Sequence, residues 1–158
     1  MLIPKILNQV KKKVLFVAID AGSALFLSPI INKMNPYNEV YVIAGINSYK
    51  TFDYRGIKSK IFDEKNKKSD FASFLLKKNF DIIFLGTNLG LSLEKEIIKQ
   101  AKSLKCFTIA VIDHFWHTWQ RFSNVKEYLK IEEAFIPDLI WVFSETQYKQ
   151  LIDVGINK

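Results

Sequence analysis

The sequence predicts an α/β protein: a single domain in three layers, with helices on both faces of a doubly wound parallel sheet of about six strands. Three observations carry this. Short apolar runs recur along the chain, and they are apolar throughout rather than alternating, as in strands covered on both faces. Most are separated by stretches with helical apolar spacing, so strand and helix alternate. The chain has 158 residues, 49% apolar and 25% charged, which suits one domain with a real core and fits no disordered or fibrous class.

Residues 1–13 form an amphipathic, basic segment ahead of the core. Leu2, Ile3, Ile6, Leu7 and Val10 come close to an i, i+3, i+4 stripe, Pro4 suits a first helical turn, and Lys11-Lys12-Lys13 follow. A short helix lying on the domain is expected, with an interfacial anchor as the other use of such a stripe. The α/β core is residues 14–158. Val14 to Ile19 is the first strand. It ends in Asp20-Ala21-Gly22-Ser23, and a helix follows with Leu25, Phe26, Ile30, Ile31 and Met34 facing inward. Pro29 is awkward there and implies a late helix start or a kink. Glu39 to Ala44 is the second strand, and Ile46 to Arg55 has no regular pattern.

Gly56 to Phe62 reads as a third strand with Ile57 and Ile61 buried, and Asp63 to Lys68 as a charged turn. Ser69 or Asp70 caps a helix from Phe71 to Lys78. Asp81 to Leu85 is the fourth strand, ending in Gly86-Thr87-Asn88-Leu89-Gly90. Ser92 caps a helix reaching Leu104, with Leu93, Ile97, Ile98 and Ala101 on one face. Phe107 to Ile112 is the fifth strand, Asn124 to Phe135 is weakly helical, and Leu139 to Phe143 is the sixth strand. Glu145 to Val154 is the last helix, with Gly155 at its end. Right-handed crossovers leave few topologies, and the expected strand order is 3-2-1-4-5-6, a Rossmann-like sheet. No internal repeat or low-complexity linker interrupts it, so residues 1–158 are read as one domain.

The 23 basic and 16 acidic residues give a net charge of +7. The lysines mostly alternate with acids on helix surfaces, a solvated-surface pattern, and nucleic acid is not expected as a partner. No apolar run approaches a membrane span and the start does not resemble a secretory leader. A cytoplasmic location is therefore expected, with peripheral contact at the inner face of the membrane as a further use of the N-terminal segment. Cys106 is the single cysteine, which excludes an internal disulfide framework. It is expected as a small apolar residue at the start of a strand.

In an open parallel sheet ligands bind beyond the carboxyl ends of the strands. Those ends supply Asp20, Gly22 and Ser23, then Gly86, Thr87, Asn88 and Gly90, then Asp113 and His114, then Ser144 and Glu145. Two readings of the first turn are open. Its backbone N–H groups bind phosphate at a helix start, or Gly22 makes a tight turn and Ser23 caps the helix. It is neither Gly-x-Gly-x-x-Gly nor a P-loop. Asn88 and the glycines around it either accommodate positive φ or hydrogen-bond a sugar or nucleotide.

Asp113 opens a run, Asp113-His114-Phe115-Trp116-His117-Thr118-Trp119-Gln120-Arg121-Phe122, that holds both histidines of the chain. An imidazole exchanges protons near neutral pH, and a carboxylate beside it orients it. Asp113 and His114 pair only if the strand has already turned there. His114 with His117, and His117 with Arg121, share a face if the run is helical. With no further clustered ligands, neither a metal nor a cofactor is expected. Trp116 and Trp119 are read as packing more than as sugar-stacking platforms. A phosphoryl-receiver reading fails because Asp113-His114 stands where its strand-five lysine should be.

With its glycine-containing turn after strand one, its polar strand-five end and the passage Pro137-Asp138-Leu139-Ile140-Trp141-Val142-Phe143-Ser144-Glu145-Thr146 leading by a helix to Gly155-Ile156, the chain resembles the N-terminal half of GT-B-fold glycosyltransferases and related sugar-nucleotide enzymes. The resemblance covers nearly the whole chain as a pattern rather than as a strict signature. It implies the acceptor-binding half of a glycosyltransferase in cell-surface polysaccharide or glycoconjugate synthesis. The donor-binding half would be missing or carried by a partner chain. The implied ligands are a sugar acceptor and a nucleotide-sugar. On this resemblance His114 is the base and Asp113 orients it. Asp20, Gly22, Ser23, Thr87, Asn88, His117 and Ser144 border the acceptor cleft, and Arg121 meets phosphate. The alternative is a non-enzymatic Rossmann-like binding or interaction domain, docking a partner or a second copy through the aromatic ridge near Trp116 and Trp119.

Overall fold

A computed structural model of the chain describes residues 11–62, 68–90, 92–123 and 135–156. The strands are β1 (Lys13–Ala18), β2 (Glu39–Ala44), β3 (Lys60–Ile61), β4 (Ile82–Leu85), β5 (Phe107–Val111) and β6 (Leu139–Trp141). The helices are α1 (Ala21–Met34), α2 (Ile46–Tyr54), α3 (Lys68–Leu76), α4 (Leu93–Ser103) and α5 (Glu145–Asp153), with a 3-10 turn at Gln120–Phe122. All strand pairs are parallel and the order is β3-β2-β1-β4-β5-β6, the Rossmann-like order that the sequence predicts.

Strand periodicity sorts the core into layers. Val14, Phe16 and Ala18 face one side, where α1 and α2 add Ala24, Leu27, Ile31 and Phe52. Leu15 and Val17 face the other, under Leu75 and Leu76 of α3 and Leu93, Ile97 and Ala101 of α4. Phe16 stacks on Phe84 at 4.8 Å between ring centroids. A third cluster of Ala110, Ile112, Phe122, Ile140, Leu151 and Ile156 seats α5 and the 3-10 turn beside β5 and β6. Both faces are thus dry, which is why these strands read as unbroken apolar runs.

Several expectations need correction. Ile46–Tyr54 is a helix, although only Ser48 and Phe52 of it are buried. Two buried positions make no readable stripe, and packing on α1 supplies what local pattern lacks. The third strand shrinks to Lys60–Ile61: Ile57 is buried as expected, but Ile61 is exposed on the sheet edge. Ser69 and Asp70 lie inside α3, which already includes Lys68.

Helix α1 begins at Ala21 and runs through Pro29. The carbonyl that loses its partner to the proline belongs to Leu25, whose residue lies on the exposed side of the helix. Phe26 is also exposed, so neither it nor Leu25 faces inward. The last strand ends at Trp141, leaving Phe143 at the surface. The expected N-terminal helix at residues 1–10, the charged turn at 63–67 and most of the weakly helical stretch (124–134) lie outside the described residues. Among the described residues no helix is long and apolar enough to cross a membrane.

Candidate functional site

The order of strands reverses between β1 and β4, and beyond their carboxyl ends a polar centre is assembled from four distant segments. Asp20 is the N-cap residue of α1, yet it makes no side-chain capping bond. Ser23, for which helix capping is one of the two open readings, is buried in the first turn and its Oγ donates to Asp113 Oδ2 at 3.1 Å. Arg121 reaches back from the 3-10 turn. Its Nη1 donates to the Thr87 carbonyl at 2.9 Å and lies 3.4 Å from Asp113 Oδ1. Its Nε donates to the Trp116 carbonyl at 3.4 Å. The Arg121 and Asp113 side chains are only 10% and 8% exposed, so this is an enclosed ion pair rather than a surface one.

Two glycines allow this interlocking. A Cβ on Gly22 would lie 2.5 Å from Asp113 Oδ2, and one on Gly86 would lie 2.5 Å from Ser23 Oγ. Neither has positive φ; what they supply is close approach between turns. Gly90, which follows in the next turn, does take the left-handed region, at φ +74.

The sequence reading missed two members of this neighbourhood. Glu94 and Lys95 lie in the first turn of α4 and are both only 2% exposed. Glu94 Oε1 accepts the Ile19 N–H at 3.1 Å, while Oε2 has no hydrogen-bond partner among the described residues. Burial pushes its pKa up to about 6, and the Asp20 charge adds to the effect, while the Ser92 hydroxyl and backbone N–H groups oppose it. Lys95 Nζ donates to the Gly90 carbonyl at 2.6 Å and the Ser123 carbonyl at 2.7 Å, and burial lowers its pKa to about 8. The signal was present. Glu94 precedes Ile97 and Ile98 by three and four positions, which puts a carboxylate on the apolar stripe of the helix. Asp20 itself is held above the usual carboxylate range, by burial first and then by Asp113, with Arg121 opposing.

The other expected residues fall outside this centre or at its edge. Thr87 is buried and hydrogen-bonded to the Val111 carbonyl, and Asn88 is half-buried beside it. Ser144 caps α5, accepting the Gln147 N–H at 3.2 Å. The expected Asp113–His114 pair does not form. Asp113 turns inward to Ser23 and Arg121, whereas His114 is exposed and its Nδ1 accepts the Trp116 N–H at 3.3 Å. Nor is the run from His114 to His117 helical, so no shared imidazole face arises, and His117 adopts φ 58. Cys106 donates its S–H to the Phe80 carbonyl, and burial raises its pKa to about 11, which makes it a poor nucleophile.

Trp116 and Trp119 border a separate cleft of about 350 Å³ between this loop and α5. The aromatic surface continues beyond it, with Phe115 and Phe143 ring centroids 4.6 Å apart and Phe26 next to Phe143.

The sheet order defines a class of fold, a Rossmann-like α/β layer with its polar centre at the reversal of strand order. No family model and no curated protein matches the sequence. Among solved structures the chain is similar to a "putative UDP-N-acetylglucosamine 2-epimerase" from Listeria monocytogenes, with a TM-score of 0.66 at 14% identity. It is also similar to a UDP-N-acetylglucosamine 2-epimerase with a TM-score of 0.61 at 15% identity. Each match covers 94% of this chain and 44% of the other, so the chain spans less than half the length of these structures. Likeness at this identity establishes the fold alone.

Proposed function

We propose that this chain is one half of a GT-B-like sugar-nucleotide enzyme, working from the acceptor side against a second Rossmann-like half that binds the sugar nucleotide. The polar centre at the reversal of strand order carries this reading. Three carboxylates, Asp20, Glu94 and Asp113, share it with the Arg121 guanidinium, at the place where such a sheet receives ligands. The names of both structural neighbours refer to UDP-N-acetylglucosamine 2-epimerase, and this supports the reading of sugar-nucleotide chemistry.

Glycosyl transfer forms a bond from the anomeric carbon to the acceptor oxygen, breaks its bond to phosphate and hands the acceptor's hydroxyl proton to a base. Asp20 is the base this geometry favours. It makes no capping bond, and its raised pKa improves it as a proton acceptor. His114 takes another role than the sequence suggests. A neutral ring whose Nδ1 accepts the Trp116 N–H carries its proton on Nε2, so it offers a ligand a donor. Asp113 and Arg121 hold the loop rather than orient the imidazole. A docking domain is the second reading, favoured by the exposed Phe26, Phe115 and Phe143.

The test supplies the chain with a donor-binding half and UDP-N-acetylglucosamine, and follows UDP release. Asp20→Asn is expected to lower the rate by roughly 10²-fold or more. An unchanged rate would remove Asp20 from the chemistry. If the wild-type chain supported no turnover and bound no saccharide or sugar nucleotide, the docking domain would be the surviving reading.

A further inference from the structure

The cleft between the aromatic loop and α5 lies outside the polar centre, and its lining is chemically mixed. Trp116 is 71% exposed, an unusual position for so large an apolar ring, and Trp119 packs on the third core cluster while also bordering the cleft. From α5 come Gln150 and Asp153. Thr118 is buried and its Oγ1 donates to Gln150 Oε1 at 2.6 Å, which ties the loop to the helix. That bond commits the amide oxygen and leaves the amide N–H groups as donors. His117 completes the wall in a left-handed conformation uncommon for a residue with a side chain, so the loop's path here is imposed by its surroundings.

We propose that this cleft binds a pyranose ring of a neutral saccharide. A pyranose has a face of C–H groups and a rim of hydroxyls. The indoles match the face, and the Asp153 carboxylate and Gln150 amide match the rim as acceptor and donor. The volume of about 350 Å³ is at the small end for ligand pockets, which suits one or two rings rather than a whole nucleotide-sugar. Charge points the same way. Among the described residues no lysine or arginine lines the cleft and a carboxylate does, so phosphate is disfavoured. An apolar tail is disfavoured by the carboxylate, amides and imidazole. The use of this site as an acceptor subsite rests on the proposed function; the binding itself does not.

The three tryptophans provide an internal control, because Trp141 sits on β6 against the core rather than in the cleft. The full chain, labelled with nitrogen-15, is titrated with methyl β-glucoside, cellobiose and diacetylchitobiose, with UDP as the anionic probe. At least one saccharide is expected to shift the indole N–H signals of Trp116 and Trp119 and leave Trp141 in place, while UDP leaves the Trp116 and Trp119 signals unmoved. Trp116→Ala should weaken binding about tenfold or more, and Asp153→Asn about fivefold. Both residues are exposed, so the variants keep the wild-type spectrum elsewhere. The proposal is overturned if none of the saccharides moves these signals, or if affinity survives Trp116→Ala. It is also overturned if the signals move with protein concentration alone, which would make the face a contact between copies. The enzymatic reading fails separately, when sugar-nucleotide turnover is absent and cleft binding is intact.

Discussion

Replacing Glu94 by glutamine tests the polar centre most directly, because a buried acid with one unpartnered oxygen should weaken the fold once ionised. Its pKa rises from an ordinary 4.5 to about 6. At 1.36 kcal/mol per pH unit that difference corresponds to roughly 2 kcal/mol. The sign follows from the direction. The folded state binds this proton more tightly than the unfolded state does. The associated stability is present in full below about pH 4.5 and is lost as pH rises through about 6. Glutamine stays neutral, and its amide oxygen can accept the Ile19 N–H in place of Oε1. Glu94→Gln should therefore match the wild type near pH 4 and exceed it by up to about 2 kcal/mol near pH 8, or roughly 4–8 °C in melting temperature. Calorimetry or urea unfolding across that range measures this. A variant destabilised by more than about 1 kcal/mol near pH 8 and unaffected near pH 4 would refute the reasoning. The carboxylate would then be held as an ion by a neighbour such as Lys95.

Two further substitutions probe the interlocked turns. Gly22→Ala would ordinarily stabilise a helix by up to about 1 kcal/mol. Here its Cβ would meet Asp113 Oδ2 at 2.5 Å, and overpacking of about 1–3 kcal/mol should reverse the sign. Urea unfolding should show a loss in the wild-type background and a gain in Asp113→Ala; a gain in both would dismiss the contact. Arg121→Ala should cost about 3–5 kcal/mol, because it leaves the enclosed Asp113 carboxylate without its cation. Arg121→Lys should recover only part of that in thermal unfolding, since one ammonium cannot span Thr87, Asp113 and Trp116 as the guanidinium does.

Local signals made most of the scaffold legible. Val14–Ile19 and Asp81–Leu85 are recognisable as strands because burial on both faces leaves each an unbroken apolar run. Ser92 is recognisable as a cap because a hydroxyl before a helix has a local partner three residues on; Ser144, read as bordering a cleft, makes the same kind of bond. Helix α2 was not legible, since its burial rests on Ser48 and Phe52 alone. Of the two outcomes expected at Pro29 the late helix start fails, since α1 already begins at Ala21 and carries Pro29 in its interior.

The sequence by itself determined the alternation, the parallel sheet and the strand ends at which polar residues collect, because each follows from spacing along the chain. Only the tertiary structure decided how those residues are shared. Asp113 and His114 are neighbours in sequence, but Asp113 pairs with Ser23, ninety residues away, and with Arg121, while His114 turns to solvent beside Trp116. Glu94 and Lys95 look like an ordinary charged helix start until Ile19, Gly90 and Ser123 are brought against them. Whether an acid is solvated, paired or stranded depends on what the other strands place beside it, and that distance is not written along the chain.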